Sequence, residues 1–322
     1  MSPTTSSALA VVGYASLDSA TSTTHFRGVD ATSILRRPLR SDTPAVGGIA
    51  HLVRAAAASG DAVIAVSWIG NDYDGERWRG AVRGSGASDG GVVMHGDRSP
   101  SATMLEVETG GTICFFDPGS CHPDRLDDTQ VAALQGAGTV LLTVAPRPLT
   151  LHVLDELSAD ARLIWAVKHD ADAYDGALVR RLLRRANVIS FARGERAFLE
   201  APGPLVETVE PGTLLLETLG ADGVRWEIAG HERSGSISVD RVTASDTTGA
   251  GDTFIGTAAA YLARPAAPSA STDAELNELV TRASRAARDL LIARNSRTEA
   301  ATHEPAPVDG ASQNEGVTHA ER

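Results

Sequence analysis

Short runs of nearly continuous apolar residues recur along the chain and alternate with stretches of helical period. Leu9–Val12, Ala62–Ile69, Val140–Val144, Leu163–Val167, Val188–Phe191 and Leu214–Leu216 have the pattern of strands buried on both faces. Between and after them, Leu52–Ala58, Glu76–Val82, Ala177–Ala186, Ile255–Leu262 and Asp273–Ala293 read as helices. Such alternation predicts right-handed βαβ units and a mainly parallel sheet covered on both faces. The polar stretch from 20 to 43, together with Val92–Met94, Thr103–Val107 and Thr112–Phe116, reads instead as short strands separated by Gly, Pro and Ser turns. These are assigned to a small β-lid made of segments about 19–43 and 92–118. The folded domain is placed at 8–293. The polar stretch 294–322, rich in Ser, Glu, Gly and Pro, is expected to be a disordered tail.

Composition narrows the function classes. The 322 residues suffice for one large α/β domain. Asp and Glu number 41 against 29 Lys and Arg, a formal charge of −12, which argues against sequence-independent binding of nucleic acid or anionic membrane. Lys168 is the only lysine, so any cationic phosphate clamp is expected to be arginine. Cys114 and Cys121 lack CxxC spacing and read as reduced thiols. No leader peptide and no membrane-length apolar run is evident, so a soluble, cytoplasmic protein is expected.

The most informative stretch is Asp246-Thr247-Thr248-Gly249-Ala250-Gly251-Asp252-Thr253-Phe254, which runs straight into a helix-forming segment. A small-residue turn at a helix start exposes backbone N–H groups at the positive end of the dipole, where an anion binds. Asp252 stands at the same corner, placed to take a proton from a hydroxyl. Phosphoryl transfer is the chemistry this pairing suggests. Other features are weak alone. Asp18 follows the first strand and reads by itself as a turn or cap residue. Gly47-Gly48 reads as a close backbone approach or a plain turn. His51 reads as a surface or packed histidine and not as a substrate ligand. Lys168, with His169 and Asp170, follows a strand's end, where it could face the nucleotide, but reads first as a solvated loop.

In motif order over residues 8–293, the chain resembles the ribokinase-like carbohydrate kinases, the PfkB family. Asp246–Phe254 carries most of the resemblance. Gly13–Asp18, Gly47-Gly48, Gly70-Asn71-Asp72-Tyr73-Asp74-Gly75 and Thr218-Leu219-Gly220-Ala221-Asp222-Gly223 support it. The resemblance implies an α/β fold: a three-layer αβα, doubly wound, mainly parallel sheet with a small β-sheet lid. It implies transfer of the ATP γ-phosphoryl group to a hydroxyl of a sugar or sugar-like molecule, with Mg2+ brought by the nucleotide. Asp252 then matches the general base, and the amides of Gly249, Ala250 and Gly251 match the anion hole. Thr218, Gly220 and Gly223 would lie along the nucleotide, Glu195 would support Mg2+ or merely cap a helix, and Asp18, Gly47 and Gly48 would face the acceptor. Asp246 and Thr248 are candidate ligands for K+, although the family's later cation-site pattern is not recognisable near Arg294–Thr298.

Several positions depart from the family pattern. Ser16 stands where an Asn is usual, and His51-Leu52 replaces a helix-start Asn. Ala145 replaces an acidic residue, and Ala192 replaces the Asn of an Asn-x-x-Glu motif that keeps its Glu195. Two alternatives stay open: a nucleoside kinase of the same family, or a catalytically weakened nucleotide- or metabolite-binding regulator on the same fold. Scarcity of aromatics tilts the acceptor towards sugars. An exposed lid edge suggests a homodimer paired through the lid.

Overall fold

The computed structural model describes residues 8–36, 44–108, 110–244, 247–264, 266 and 268–303, with side chains as far as 295. In chain order its elements begin with β1 (Leu9–Val12), β2 (Ala15–Thr23), β3 (Ala45–Gly48), α1 (Ala50–Ala57), β4 (Val63–Ile69), α2 (Tyr73–Gly84) and β5 (Ser88–Met94). β6 (Ser101–Val107), β7 (Thr112–Asp117), α3 (Asp128–Gln135), β8 (Thr139–Leu142), α4 (Arg147–Glu156), β9 (Arg162–Ala166) and α5 (Gly176–Arg185) follow. The chain continues with β10 (Val188–Ala192), the short helices α6 (Arg196–Leu199) and α7 (Leu205–Thr208), β11 (Leu214–Thr218), β12 (Val224–Ile228) and β13 (Arg233–Ile237). Helices α8 (Ala250–Leu262) and α9 (Asp273–His303) close the described part.

Nine strands form one sheet in the order β13-β12-β11-β10-β9-β8-β1-β4-β5, parallel from β11 to β5 and antiparallel at β12 and β13. Every residue of β1 is buried, because alternate side chains enter different cores. Leu9 and Val11 pack with α1, α2, α8 and α9, whereas Ala10 and Val12 pack with α3, α4 and α5. The result is the three-layer αβα fold. β1 has β4 on one side and β8 on the other, so the strand order reverses between β1 and β8. In an open sheet of this kind, ligands gather beyond the carboxyl ends of the strands at that reversal.

The lid is a separate four-stranded sheet in the order β3-β2-β6-β7. It starts earlier than the sequence pattern indicates. Only Gly13 and Tyr14 separate β1 from β2, so the chain steps directly from the main sheet into the lid. Ser16, Leu17 and Asp18 therefore lie in a lid strand, paired with Gly47, Val46 and Ala45 of β3, and not in a loop. Val92–Met94 is also reassigned: it belongs to β5, parallel to β4 at the edge of the main sheet. Two glycines, Gly90 and Gly91, give β5 a turn-like sequence, while burial of Val92 shows which sheet it serves.

The Gly70–Gly75 turn has a structural part. Asp72 caps α2 by accepting from the Gly75 amide at 2.7 Å, and it accepts from both the amide and the hydroxyl of Ser99 at 2.7 Å. Burial opposes ionisation of Asp72, but these donors outweigh it and hold its carboxyl below the usual range. The final helix is longer than expected. α9 continues past 293 to His303, so the first residues of the expected tail are helical, and 304–322 lie outside the described residues. Among the described residues no helix is long and apolar enough to cross a membrane.

Candidate active site

The site is built where α8 begins. Gly249 is the N-cap and has φ 75°, a left-handed conformation that glycine adopts without strain. A Cβ at Gly249 would also come 3.1 Å from the ring of His51 beneath it. Further along α8, Gly256 lets the helix lie close on α1, since a Cβ there would meet the Leu52 carbonyl oxygen at 2.5 Å. That packing fixes the helix start against the sheet edge. Asp252 falls in the first turn of α8, with its side chain 15% exposed.

Two clefts meet at this helix start. The larger, about 610 Å3, lies between the main sheet and the lid. Asp18, Gly48, Gly249, Gly251 and Asp252 all line it, as do Lys168 and Glu195. The smaller, about 260 Å3, is lined by Thr218, Gly220, Gly223 and Ala250, with α9 forming a further wall. Thr247 and Gly251 border both. Apart from Gly47, which lines neither cleft, and Asp246, which lies outside the described residues, the sequence-predicted residues are thus brought together, in two groups on either side of one helix N-terminus. The Ala250 amide donates to the Thr247 carbonyl at 3.2 Å, closing the turn, which leaves Gly249 and Gly251 as the better placed members of the expected anion hole.

In the larger cleft, Asp18 accepts from the Ser16 hydroxyl at 2.6 Å. Burial raises the Asp18 carboxyl above its ordinary range; the Ser16 hydrogen bond works against this, and the charge of Asp252 across the cleft adds to it. Gly47 and Gly48 are glycines for different reasons. A Cβ at Gly47 would lie 2.0–2.4 Å from the Asp18 carboxylate atoms, so glycine makes room for that side chain. Gly48 has φ +59°, and a Cβ there would strike the Tyr14 carbonyl oxygen at 2.1 Å. The Gly47 carbonyl is held by Trp78 Nε1 at 3.0 Å. Thr143, on the cleft wall, has a buried hydroxyl without a partner among the described residues, so a polar ligand group has something to satisfy there.

Lys168 lies in a loop after β9 with its side chain 49% exposed, as expected, but it is engaged at the site. Its Nζ lies 3.1 Å from Asp252 Oδ1. Asp252 raises the lysine above its ordinary range; burial opposes the shift, and Glu195 adds to it. Glu195 accepts from the Ala192 amide at 2.7 Å and so caps the turn after β10. Its carboxyl is raised by burial, while the Ala192 amide and the Lys168 charge pull the other way. A signal for Lys168 was present in the sequence: the only lysine follows directly on an apolar strand, at the edge where ligands bind. Aromatic surface was also missed. Phe116 of the lid and Tyr14 line the larger cleft, with ring centroids 4.9 Å apart in an edge-on contact.

The smaller cleft combines buried polar groups with apolar surface. Ser284 Oγ and Arg288 Nε on α9 are buried there with no partner among the described residues, so polar ligand atoms have partners waiting. Val239, Val242 and Leu291 supply apolar surface. Gly220 (φ +64°) and Gly223 (φ +101°) shape the turn after β11, and a Cβ at Gly223 would strike the Ile237 carbonyl oxygen at 2.0 Å. Arg193 and Arg241 flank that turn through Asp222, at 3.0 and 3.2 Å.

Metal sites are less evident. Among the described residues, no group of three or more His, Cys, Asp or Glu side chains is arranged to hold an ion. Of the candidate K+ ligands, Asp246 lies outside the described residues, and the Thr248 carbonyl accepts from Arg294 Nη1.

Among curated proteins no sequence matches the chain. Solved structures show the fold. The ribokinase of Arabidopsis thaliana complexed with ribose and ATP is 20% identical, with a TM-score of 0.67 over 87% of this chain and 90% of that one. The ribokinase of Giardia lamblia is 20% identical, with a TM-score of 0.68 over 88% and 90%. A nucleoside kinase of Methanocaldococcus jannaschii is 14% identical, with a TM-score of 0.65 over 87% and 91%. The model of the pfkB family carbohydrate kinases matches residues 45–298. That match spans more than half of the chain, and the chain belongs to the PfkB family of carbohydrate kinases.

Proposed function

We propose that the protein is an ATP-dependent kinase that phosphorylates a hydroxyl of a sugar or sugar-like small molecule. One observation carries this reading: Gly251 and Thr247 border both clefts, with Asp252 beside them on the lid side. ATP, when bound, supplies the phosphoryl group, and Mg2+ arrives on its phosphates. The chain's own part is positioning and charge. Thr218, Gly220, Ser284 and Arg288 would hold the nucleotide. Asp18 would bind acceptor hydroxyls, with Gly47 and Gly48 giving it room. Asp252 Oδ2 would accept the proton of the reacting hydroxyl while Lys168 holds Oδ1. The Gly249 and Gly251 amides, at the positive end of α8, would meet the charge that develops during transfer. Glu195, on the wall of the same cleft, would support Mg2+.

A nucleoside acceptor is the second reading, and Phe116 beside Tyr14 favours it, since a base needs a stacking surface. A weakened regulator is the third; Ala192 in place of an amide side chain motivates it, and the retained Asp252 weighs against it. We place the protein in the cytoplasm, acting on a small molecule and not on nucleic acid or membrane, as a homodimer joined through the lid. The function is tested by ADP release with sugars, sugar acids and nucleosides. An acceptor-dependent signal is expected from the wild type, and equal release by Asp252→Asn would sink the reading.

A further inference from the structure

Two arginines from distant parts of the chain converge on one exposed carboxylate. Arg193, directly after β10, donates from Nη2 to Asp222 Oδ2 at 3.0 Å. Arg241, between β13 and α8, donates from Nη2 to Asp222 Oδ1 at 3.2 Å. Asp222 ends the short helical turn Gly220–Asp222 after β11. β10 and β11 are parallel neighbours, so the segments that follow them leave the same sheet edge side by side. Two residues on from Arg193, Glu195 lines the larger cleft, whereas Gly220 and Arg241 line the smaller. The three charged side chains thus link the wall of one cleft to the wall of the other.

Folding does not account for this cluster. Arg193, Asp222 and Arg241 are each more than half exposed, and ion pairs so exposed add little to stability. The neighbouring arginines differ: Arg196 and Arg225 are committed to the buried carboxylate of Glu217, at 2.7 and 2.9 Å. A carboxylate edge offers guanidinium groups the same pair of oxygens as a phosphate, so Asp222 occupies its two arginines as a phosphate would. A chain of formal charge −12 repels a polyanion at a distance, so local cations decide where one settles.

We infer that Arg193 and Arg241 form a clamp on the outer phosphates of the nucleotide, with Asp222 holding both guanidinium groups until those phosphates replace it. This rests on the kinase reading, in which the phosphates pass from the smaller cleft by Gly251 towards Asp252. Each arginine leaves a weak, exposed pairing, so the exchange costs little. The clamp reads phosphate charge and not the base, and Asp222 competes with the ligand for it.

Calorimetric titration of the full chain with ATP and with AMP, in the presence of Mg2+ and without an acceptor, tests the clamp. The wild type is expected to bind ATP more tightly than AMP. Arg193→Met and Arg241→Met are each expected to weaken ATP binding about tenfold and to leave AMP binding within about twofold. The three side chains are exposed, so the variants are expected to fold as the wild type does. Asp222→Asn separates a clamp from a structural bridge. It is expected to bind ATP roughly two- to fivefold more tightly than the wild type, because the competing ion pairs are gone. ATP binding that survives both arginine substitutions, or that falls in step with AMP binding, overturns the inference, as does weaker ATP binding by Asp222→Asn. Those outcomes leave the kinase reading standing. A wild type that binds neither nucleotide sinks that reading, and the clamp with it.

Discussion

Lys168 Nζ sits 3.1 Å from Oδ1 of Asp252, joining the chain's only lysine to the carboxylate proposed as its general base. The pair comes from opposite parts of the fold: Lys168 follows β9, and Asp252 stands in the first turn of α8. An ammonium on one carboxylate oxygen fixes the rotamer and leaves the other oxygen for the acceptor.

Replacing Lys168 by Met is expected to lower kcat/KM by roughly 10- to 100-fold, less than loss of the base itself, which typically costs about 10²–10⁴. Lys168→Arg should recover part of the loss. The pH dependence has a definite sign. Asp252 raises the folded-state pKa of Lys168, so the stability this pair contributes is fully present below the ordinary lysine value of about 10.4. It is lost as pH rises through the raised value. The Tm difference between wild type and Lys168→Met should therefore be constant at neutral pH and shrink in strong alkali. A difference that does not change there contradicts the pairing.

Asp18 behaves in the opposite sense. Burial raises its carboxyl, so the folded state binds that proton more tightly than the unfolded chain. Stability falls as pH rises from the ordinary Asp value of about 3.9 through the raised one. Asp18→Asn should therefore melt higher than wild type at neutral pH, with the gain vanishing below that window, while acceptor binding is lost. A variant that is destabilised at neutral pH would refute the assignment.

The two neighbouring glycines give contrasting variants. Gly47→Ala meets the mobile end of a side chain, the Asp18 carboxylate, so the fold should survive with Asp18 displaced and the acceptor KM raised. Gly48→Ala meets a backbone oxygen at positive φ and should destabilise by about 1–3 kcal/mol or more. Denaturant melts of both, with KM for Gly47→Ala, check the contrast.

The lid exposes large apolar side chains: Phe115 is 55% exposed, and Ile34, on the segment following β2, is 71% exposed. Phe115 belongs to β7, an edge strand of the lid sheet, and unpaired edges with apolar side chains favour pairing. Light scattering is expected to give a dimer mass, and Phe115→Glu to give a monomer. A monomeric wild type at micromolar concentration removes the dimer.

The layered fold was legible because β1, β8, β9, β10 and β11 are apolar on successive residues, as only doubly covered strands are. The helix-start turn was legible because its glycines and carboxylates are contiguous. β5 was hidden by its two glycines, and the start of the lid by the absence of any turn signal at Gly13-Tyr14 beyond one glycine. Lys168 stood in view as the only lysine, directly after an apolar strand, but its pairing with Asp252, like the place of Phe116, depends on which elements become neighbours, and a local pattern does not carry that. Arg294 fell in the expected tail, whereas it lies in α9 and donates to the carbonyl of Thr248, a contact between distant parts of the chain.

The central claim is that Asp252 drives phosphoryl transfer to an acceptor held under the lid. Mass spectrometry of an acceptor panel incubated with ATP, Mg2+ and either wild type or Asp252→Asn tests it most directly. The account predicts an acceptor that gains one phosphoryl group with the wild type and about 10²–10⁴ times more slowly with Asp252→Asn. Equal phosphorylation by both proteins, or none of any sugar, sugar acid or nucleoside by a folded wild type, would contradict it.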